Sequence, residues 1–142
     1  MKPQRNTQGF TLLELLVVLV ILALLAGIAV PTYFGRAEAA RLQKVEADFG
    51  LIATALSVYK LDNRQLPTTA QGLAALVQRP TLPPEPASYK PSGYLRELPL
   101  DPWNQPYLYL SPARDGNKEY DLFSYGADGQ RGGEGQDADL QF

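Results

Sequence analysis

The stretch that decides the fold is residues 9–30, GFTLLELLVVLVILALLAGIAV, in which one carboxylate, Glu14, interrupts a continuous apolar segment. As a helix, Phe10 to Val30 would be about 32 Å long, close to the hydrocarbon thickness of a bilayer. A charge at that depth costs on the order of 3 kcal/mol by insertion scales. The cost implies that Glu14 has a partner, and that this partner is tied to the function.

The charges on either side of the apolar segment predict its orientation. Lys2 and Arg5 precede it, and the next basic residue is Arg36. The positive-inside rule then places the N-terminus in the cytoplasm and the rest of the chain outside. A cleaved secretory signal is an alternative, since Ala37-Glu38-Ala39 has the small-x-small pattern, but this pattern lies well past the apolar core. A generic single-pass anchor is another alternative, and it leaves Glu14 without an explanation.

The composition excludes several kinds of site. The 142 residues carry a net charge of −2 and include neither Cys nor His. They are enough for one modest domain and a hydrophobic arm. The charge gives no electrostatic argument for nucleic acid as a partner. Without Cys and His there are no disulfides, thiol nucleophiles, histidine bases or Cys/His zinc sites.

Beyond Pro31, a possible kink, the apolar residues recur at alternating spacings of three and four. This periodicity marks one face of an amphipathic helix. The pattern therefore predicts a single helix from about Phe10 to Leu61, apolar all round in its first half and amphipathic in its second. The residues on the apolar face of the second half are Leu42, Val45, Phe49, Ile52, Leu56 and Tyr59.

The rest of the chain is typical of a small α+β domain. A short helix is predicted after Pro67, with Thr68 or Thr69 as its N-cap, and the proline-rich residues 80–93 are predicted to form an ordered loop. Residues 107–110 and 120–125 are predicted strands, joined by a hairpin turn at residues 115–117. Asp101, before Pro102, is interpreted as a turn residue and the aromatic residues as core. The tail from Gly126 has too few apolar residues to pack as a core element.

That tail is acidic and rich in glycine. Asp128, Glu134, Asp137 and Asp139 are hard oxygen donors in a chain that can bend around an ion, which suits Ca²⁺. Asp128 and Asp139 have the end-to-end spacing of an EF-hand loop, but Gln130 and Gly132 stand at intermediate ligand positions, so the loop is not an EF-hand. From composition alone, a calcium site and a solvated acidic loop are equally open.

The N-terminal pattern resembles the class III signal of type IV pilins and pseudopilins. The matching features are the basic leader Met1 to Gly9, the Gly9-Phe10 junction, Thr11, Glu14 and the long apolar helix. The resemblance implies that a prepilin peptidase cuts between Gly9 and Phe10 and methylates the new amino group of Phe10. An amine and a carboxylate at membrane depth neutralise each other. Glu14 can then pair with the amine of a staggered neighbour, which would select the filament register, or with the amine of its own chain.

Later motifs resemble the major pseudopilin of type II secretion, the protein G family. They are Tyr59-Lys60-Leu61-Asp62-Asn63, Leu66-Pro67-Thr68-Thr69, Gln71-Gly72-Leu73, Gly93-Tyr94-Leu95, Leu98-Pro99, Asp101-Pro102-Trp103 and Ser124-Tyr125-Gly126-Ala127-Asp128-Gly129. The resemblance implies a pilin-like fold, with a long N-terminal helix packed on a small antiparallel sheet and a calcium-ordered C-terminal loop. The implied Ca²⁺ ligands are Asp128, then Asp139 or Asp137, with backbone carbonyls near Tyr125 and Gln130.

The resemblance divides the chain into a removed leader, residues 1–9, a transmembrane and filament-core helix, residues 10–30, and a periplasmic domain, residues 31–142. It implies a structural subunit rather than an enzyme. The implied subunit forms a homopolymer that grows from the inner membrane and drives export of folded proteins. The implied partners are minor pseudopilins, the prepilin peptidase, an inner-membrane assembly platform with a cytoplasmic ATPase, and membrane lipid before assembly. A type IV pilus subunit is the alternative, although such pilins usually close their C-terminal region with a disulfide. A membrane-anchored binding or enzymatic domain, with Gly9-Phe10 left uncut, is another.

Overall fold

The computed structural model describes residues 10–142, without the side chains of residues 26–35. The leader, including Gly9 at the expected cleavage junction, lies outside the described residues. Pro31, named above as a possible kink, falls in the stretch without described side chains, and the question of a kink stays open. The described chain forms two compact units: the first ends at Ala39, and the second spans Ala40–Phe142.

One helix dominates the secondary structure. Helix α1 spans Leu12–Asn63, which confirms the predicted continuous helix to within two residues at each end. It ends where Arg64 adopts a left-handed conformation, with φ of 63°, and donates its backbone N–H to the Lys60 carbonyl at 2.7 Å. A left-handed residue just past the last turn is a common way to satisfy the final carbonyls of a helix.

In the first unit, the large apolar side chains that the structure describes on α1, those of residues 12–25, are exposed. Leu12 is 88% exposed, and even the least exposed of these large residues, Val17, is 47% exposed. Among the residues that the structure describes, no helix combines the length and apolar character needed to cross a membrane.

In the second unit, the amphipathic half of α1 forms one wall of the core. The predicted apolar face is buried from Val45 to Tyr59, whereas Leu42, at the start of this face, is 41% exposed. Burial of large apolar side chains is the main favourable term in folding, so this face holds the domain together. The residues from other elements that pack in the same core are Leu73, Ala75, Leu76, Tyr107, Tyr109 and Leu122.

The opposite wall is a three-stranded antiparallel sheet. Its strands are β1 (Leu108–Leu110), β2 (Asp121–Ser124) and β3 (Leu140–Gln141), in the order β1-β2-β3. The β1–β2 pair confirms the predicted hairpin, with Tyr109 opposite Leu122.

The prediction that the tail packs no core element is wrong for its last residues. β3 pairs with β2, Phe142 donates its backbone N–H to the Leu122 carbonyl at 3.0 Å, and the Phe142 ring lies 6.0 Å from that of Phe49. Strand pairing is made by backbone groups, so two residues suffice where β2 offers a free edge.

The link between α1 and the sheet begins with a tight turn and a 3₁₀ helix, Leu73–Leu76. The predicted N-cap was wrong, because Gly72 occupies that position. Thr68 instead forms a reciprocal pair with Gln71: the Gln71 N–H donates to Thr68 Oγ1 at 3.2 Å and the Thr68 N–H donates to Gln71 Oε1 at 3.0 Å. The Gln71 side chain also donates to the carbonyls of Leu82 and Pro84, which holds the proline-rich loop in the ordered form predicted for it.

Candidate functional sites

Glu14 lies in the first turn of α1 and has a local partner. The Glu14 N–H donates to Thr11 Oγ1 at 3.2 Å, and the Thr11 N–H donates to Glu14 Oε2 at 3.5 Å. This reciprocal arrangement is a capping box, which satisfies two of the free N–H groups at a helix N-terminus. Sequence reasoning missed it, although Thr-x-x-Glu before an apolar run is its known signature. Glu14 is therefore positioned by Thr11 within its own chain.

The surroundings of Glu14 leave its carboxylate open to a second molecule. The side chain is exposed, as are those of Phe10, at 80%, and Leu13, at 73%. The peptide bond between Gly9 and Phe10 lies outside the described residues. The pairing of Glu14 with an amine at Phe10, in either chain, therefore remains a prediction.

The acidic loop, residues 125–139, connects β2 to β3. It folds back on itself, because the Ala127 N–H donates to the Gln136 carbonyl at 2.9 Å. Gly126 has φ of +66°, and a Cβ there would lie 2.7 Å from the Gln136 oxygen. The close backbone approach at the base of the loop thus requires glycine. A 3₁₀ turn, Gly135–Asp137, leads the chain back to β3.

Two acidic side chains of the loop stabilise its turns. Asp128 Oδ1 accepts a hydrogen bond from the Gln130 N–H, and Asp139 Oδ1 accepts one from the Gly132 N–H, each at 3.0 Å. Asp137 lies in the 3₁₀ turn with a partly exposed side chain. Within residues 10–142, no three acidic side chains are clustered so as to hold a metal ion. The structure therefore does not bring Asp128, Asp137 and Asp139 together as one carboxylate cluster.

The donor chemistry of the loop nevertheless fits Ca²⁺, which accepts carboxylate and backbone carbonyl oxygens in flexible geometry. Asp128 and Asp139 are exposed. The loop carbonyls that accept protein hydrogen bonds include those of Gly126, Ala127 and Gln136. The carbonyls of Tyr125 and Gln130, implied as ligands by the family resemblance, are not among these acceptors.

A corner formed by residues 101–105, in which Asp101 is buried, lies against the start of the acidic loop. Asp101 is 4% exposed, and its Oδ1 accepts the N–H groups of Trp103 at 3.0 Å and Gln105 at 2.8 Å. This confirms Asp101 as a turn residue. Its Oδ2 accepts the Ser124 hydroxyl at 2.6 Å, which ties the corner to the end of β2. Sequence reasoning did not find Ser124 or Gln105, because no local pattern indicates contacts between residues about twenty positions apart.

Two buried tyrosines reinforce the core. The Tyr107 hydroxyl donates to Asp48 Oδ2 at 2.7 Å, and Lys44 Nζ lies 2.5 Å from the same oxygen. Burial, followed by the hydrogen bond to Asp48, raises the pKa of Tyr107 far above its ordinary value. Burial raises the pKa of Tyr109 to about 12, and its hydroxyl donates to the Pro67 carbonyl at 2.8 Å. Both phenols therefore stay neutral at physiological pH and serve the packing, as predicted for the aromatic residues.

Comparison with known protein families gives two matches along the chain. The family described as "Type II secretion system (T2SS), protein G" matches residues 32–142. The family described as "Prokaryotic N-terminal methylation motif" matches residues 4–30. The two matches meet near the end of the apolar half of α1, and together they include both of the candidate sites.

Individual proteins resemble the chain over nearly its whole length. The type II secretion system core protein G of Pseudomonas aeruginosa is 47% identical over 137 residues, which covers 96% of this chain and 95% of the relative. The protein of the same name from Vibrio cholerae is 51% identical over 140 residues, with coverage of 99% and 94%. The crystal structure of the major pseudopilin from the type 2 secretion system of enterohaemorrhagic Escherichia coli matches with a TM-score of 0.67 and 42% identity. That match covers 76% of this chain and 90% of the other.

Proposed function

The chain belongs to the protein G family of the type II secretion system and is a major pseudopilin, and we propose that it polymerises from the inner membrane to drive the export of folded proteins across the outer membrane. The observation that carries this proposal is the exposed apolar half of α1, where Leu12 and Leu24 are 88% and 66% exposed. Large contiguous apolar surfaces mark sites of association. Packing the same helix from many copies around one axis would cover this surface.

A pseudopilin with an N-terminal methylation motif is part of a membrane-anchored pseudopilus built with other components of the secretion system. The finer arrangement belongs to the proposal. Lys2 and Arg5 favour a cytoplasmic N-terminus, with residues 10–30 held in lipid before assembly and residues 31–142 in the periplasm. The specific partners in the proposal are minor pseudopilins, the prepilin peptidase, and an inner-membrane assembly platform driven by a cytoplasmic ATPase. The role of the chain itself is structural rather than enzymatic.

Processing prepares the proposed filament contact. Cleavage after Gly9 and methylation of Phe10 would leave an amine next to the first turn of α1. Thr11 holds Glu14 at this same end through the capping box, where a carboxylate also benefits from the positive end of the helix dipole. In a staggered filament, Glu14 of one subunit meets the amine of its neighbour, and the paired charges cost less in an apolar surrounding than either one alone.

N-terminal mass spectrometry, combined with complementation of a strain that lacks its own major pseudopilin, tests the proposed function. The mature chain should begin at N-methyl-Phe10 and restore secretion. Gly9→Val places a bulky side chain at the junction and should retain Met1 and fail to restore secretion. An intact Met1 in the natural sequence, or a chain that begins after Ala39, would contradict the proposal.

The proposal includes a structural Ca²⁺ at the acidic loop, held by Asp128 with Asp139 or Asp137 and by carbonyls at Tyr125 and Gln130. The ion supplies the positive charge that the carboxylates can share. The exposed, glycine-rich loop buries few apolar side chains to offset the entropy lost when it becomes ordered. A ligand that binds only the folded loop stabilises the protein by mass action.

Thermal unfolding of the full chain in mild detergent, with Ca²⁺ or with a chelator, tests the ion. Ca²⁺ should raise the melting temperature of the natural chain and leave that of Asp128→Ala unchanged. Asp115→Ala is a matched control, because Asp115 Oδ1 accepts the Asn117 N–H at 3.0 Å just as Asp128 Oδ1 accepts that of Gln130. The control should keep the full response to Ca²⁺. Equal melting of the natural chain in Ca²⁺ and in chelator would refute the calcium site.

A further inference from the structure

We propose that Gln105 is the positioning residue of the acidic loop: its side-chain amide holds the start of the loop in the folded conformation before any ion binds. The effect on ion affinity rests on the calcium site of the proposed function, whereas the effect on loop order does not. Gln105 is not one of the acidic or carbonyl donors, and it acts on them through the backbone.

The corner clamps the backbone of Gln105 from both directions. Its N–H donates to Asp101 Oδ1 at 2.8 Å, and its carbonyl accepts the Asp101 N–H at 2.9 Å. Asp101 is itself buried and held by the Ser124 hydroxyl at 2.6 Å. Ser124 Oγ in turn accepts the Gly126 N–H at 3.2 Å. The side chain of Gln105 therefore projects from a rigid base that is also bonded to the loop it contacts.

The amide of Gln105 bridges two consecutive carbonyls of the loop. Nε2 donates to the Gly126 oxygen at 3.1 Å and to the Ala127 oxygen at 3.3 Å. A Cβ added to Gly129 would lie 2.4 Å from Gln105 Oε1, so the loop passes directly over the other end of the amide. The Ala127 N–H donates to the Gln136 carbonyl. The amide thus fixes Gly126 and Ala127, and the N–H of Ala127 joins the start of the loop to its returning segment at Gln136.

This arrangement predicts which chemistry position 105 tolerates. Two carbonyl oxygens face the amide nitrogen, so the position needs a hydrogen-bond donor. Glu has nearly the same shape but presents an oxygen to both carbonyls, and Met fills similar volume without a donor. Packing alone would be preserved by either residue, whereas positioning through the amide would be lost in both. Partners that orient metal ligands typically contribute 10- to 100-fold in affinity.

The test uses the full chain in mild detergent and measures backbone hydrogen exchange in chelator, then Ca²⁺ binding by calorimetry. Gln105→Met and Gln105→Glu should speed exchange at Ala127 and Asp137 by at least about tenfold, while Ile52 in the core stays within about twofold. Ca²⁺ affinity should fall by about 10- to 100-fold. Gln71→Met is the matched control, since the Gln71 amide also bridges two carbonyls, those of Leu82 and Pro84. It should speed exchange only at Thr68, whose N–H donates to Gln71 Oε1, and around residues 81–87, and it should leave Ca²⁺ affinity unchanged.

The outcomes separate this inference from the calcium site. Unchanged loop exchange in both Gln105 variants would overturn the positioning role. Faster loop exchange with unchanged Ca²⁺ affinity would overturn the link to the ion. If the natural chain binds no Ca²⁺, the calcium site fails, and faster exchange in the two variants would still support Gln105 as the residue that orders the loop.

Discussion

The two halves of α1 are one continuous helix of 52 residues with opposite surroundings. In the first half, Leu16 and Leu24 are 60% and 66% exposed, whereas in the second half Ile52 and Leu56 are fully buried. The first half is apolar on every face, and the second carries charged residues between its apolar positions. An apolar pattern thus indicates where burial must occur, but not whether the partner is in the same chain.

The energetic consequence follows from the burial. Covering a large aliphatic side chain is worth about 1.5–3 kcal/mol. For Leu56 this energy is realised inside the folded domain and stabilises it. For Leu16 most of it is gained only when another molecule covers the helix, so it favours assembly. Substitutions in the two halves should therefore affect different measurements.

The largest expected effect is the loss of assembly in Glu14→Ala. This variant should still be cleaved after Gly9 but should form no pseudopilus, because it lacks the charge that pairs with a neighbouring amine. Thr11→Ala removes the side-chain cap and should cost about 1 kcal/mol of helix stability; because Glu14 keeps its charge, assembly should be reduced but not lost. Sedimentation of sheared filaments measures the yield, with the exposed Glu46→Ala of the second half as a further control. A normal filament yield in Glu14→Ala would show that the first half of α1 does not need this carboxylate for assembly.

Leu56→Ala should cause the next largest effect, a loss of about 2–5 kcal/mol of unfolding free energy, because it leaves a cavity in the core. Leu51→Ala, five positions earlier and 49% exposed, should cost much less. Leu16→Ala should leave the stability of the domain within about 0.5 kcal/mol and lower only the filament yield. Denaturant titration of the full chain in detergent compares the three. A similar loss of stability in Leu16→Ala and Leu56→Ala would contradict the contrast between the two halves of α1.

Phe142→Ala should destabilise the domain by about 1–2 kcal/mol, less than a full core truncation, because the ring is 48% exposed. The ring packs on Phe49, so the change tests whether the end of the tail belongs to the core on which the second half of α1 packs. Gln141→Ala, at the preceding position and the last residue of β3, should cost less. If the two substitutions have equal and negligible effects, the tail contributes no side-chain packing to the core.

The smallest effect at neutral pH is expected for Tyr107→Phe, about 1 kcal/mol from the lost hydrogen bond to Asp48. The larger signal lies at alkaline pH. The folded state raises the pKa of Tyr107, so its stabilising contribution is complete below the unfolded pKa of about 10 and is lost as the pH rises through the folded pKa. Stability measured from pH 7 to 11 should therefore fall less steeply in Tyr107→Phe than in the natural chain. An unchanged slope would show that ionisation of Tyr107 does not contribute to unfolding at alkaline pH.

Sequence reasoning succeeded where one local pattern decides the structure. The spacing from Val45 to Tyr59 predicted the buried helical face, and the turn at residues 115–117 predicted the β1–β2 hairpin. It failed for β3, because two residues at a free sheet edge leave no compositional signal. It also overlooked the capping box at Thr11 and Glu14, although the sequence contains its Thr-x-x-Glu signature.

Local sequence patterns were therefore enough to predict the long helix, the contrast between its halves and the family, since periodicity and motifs are properties of neighbouring residues. The packing of Phe142 on Phe49 and the hydrogen bonds from Gln105 to Gly126 and Ala127 depend instead on the folded domain. These contacts join residues far apart in the chain, and their geometry depends on how the corner, the sheet and α1 pack together. A local pattern carries no information about that packing, so the residue that positions the acidic loop became visible only in the folded domain.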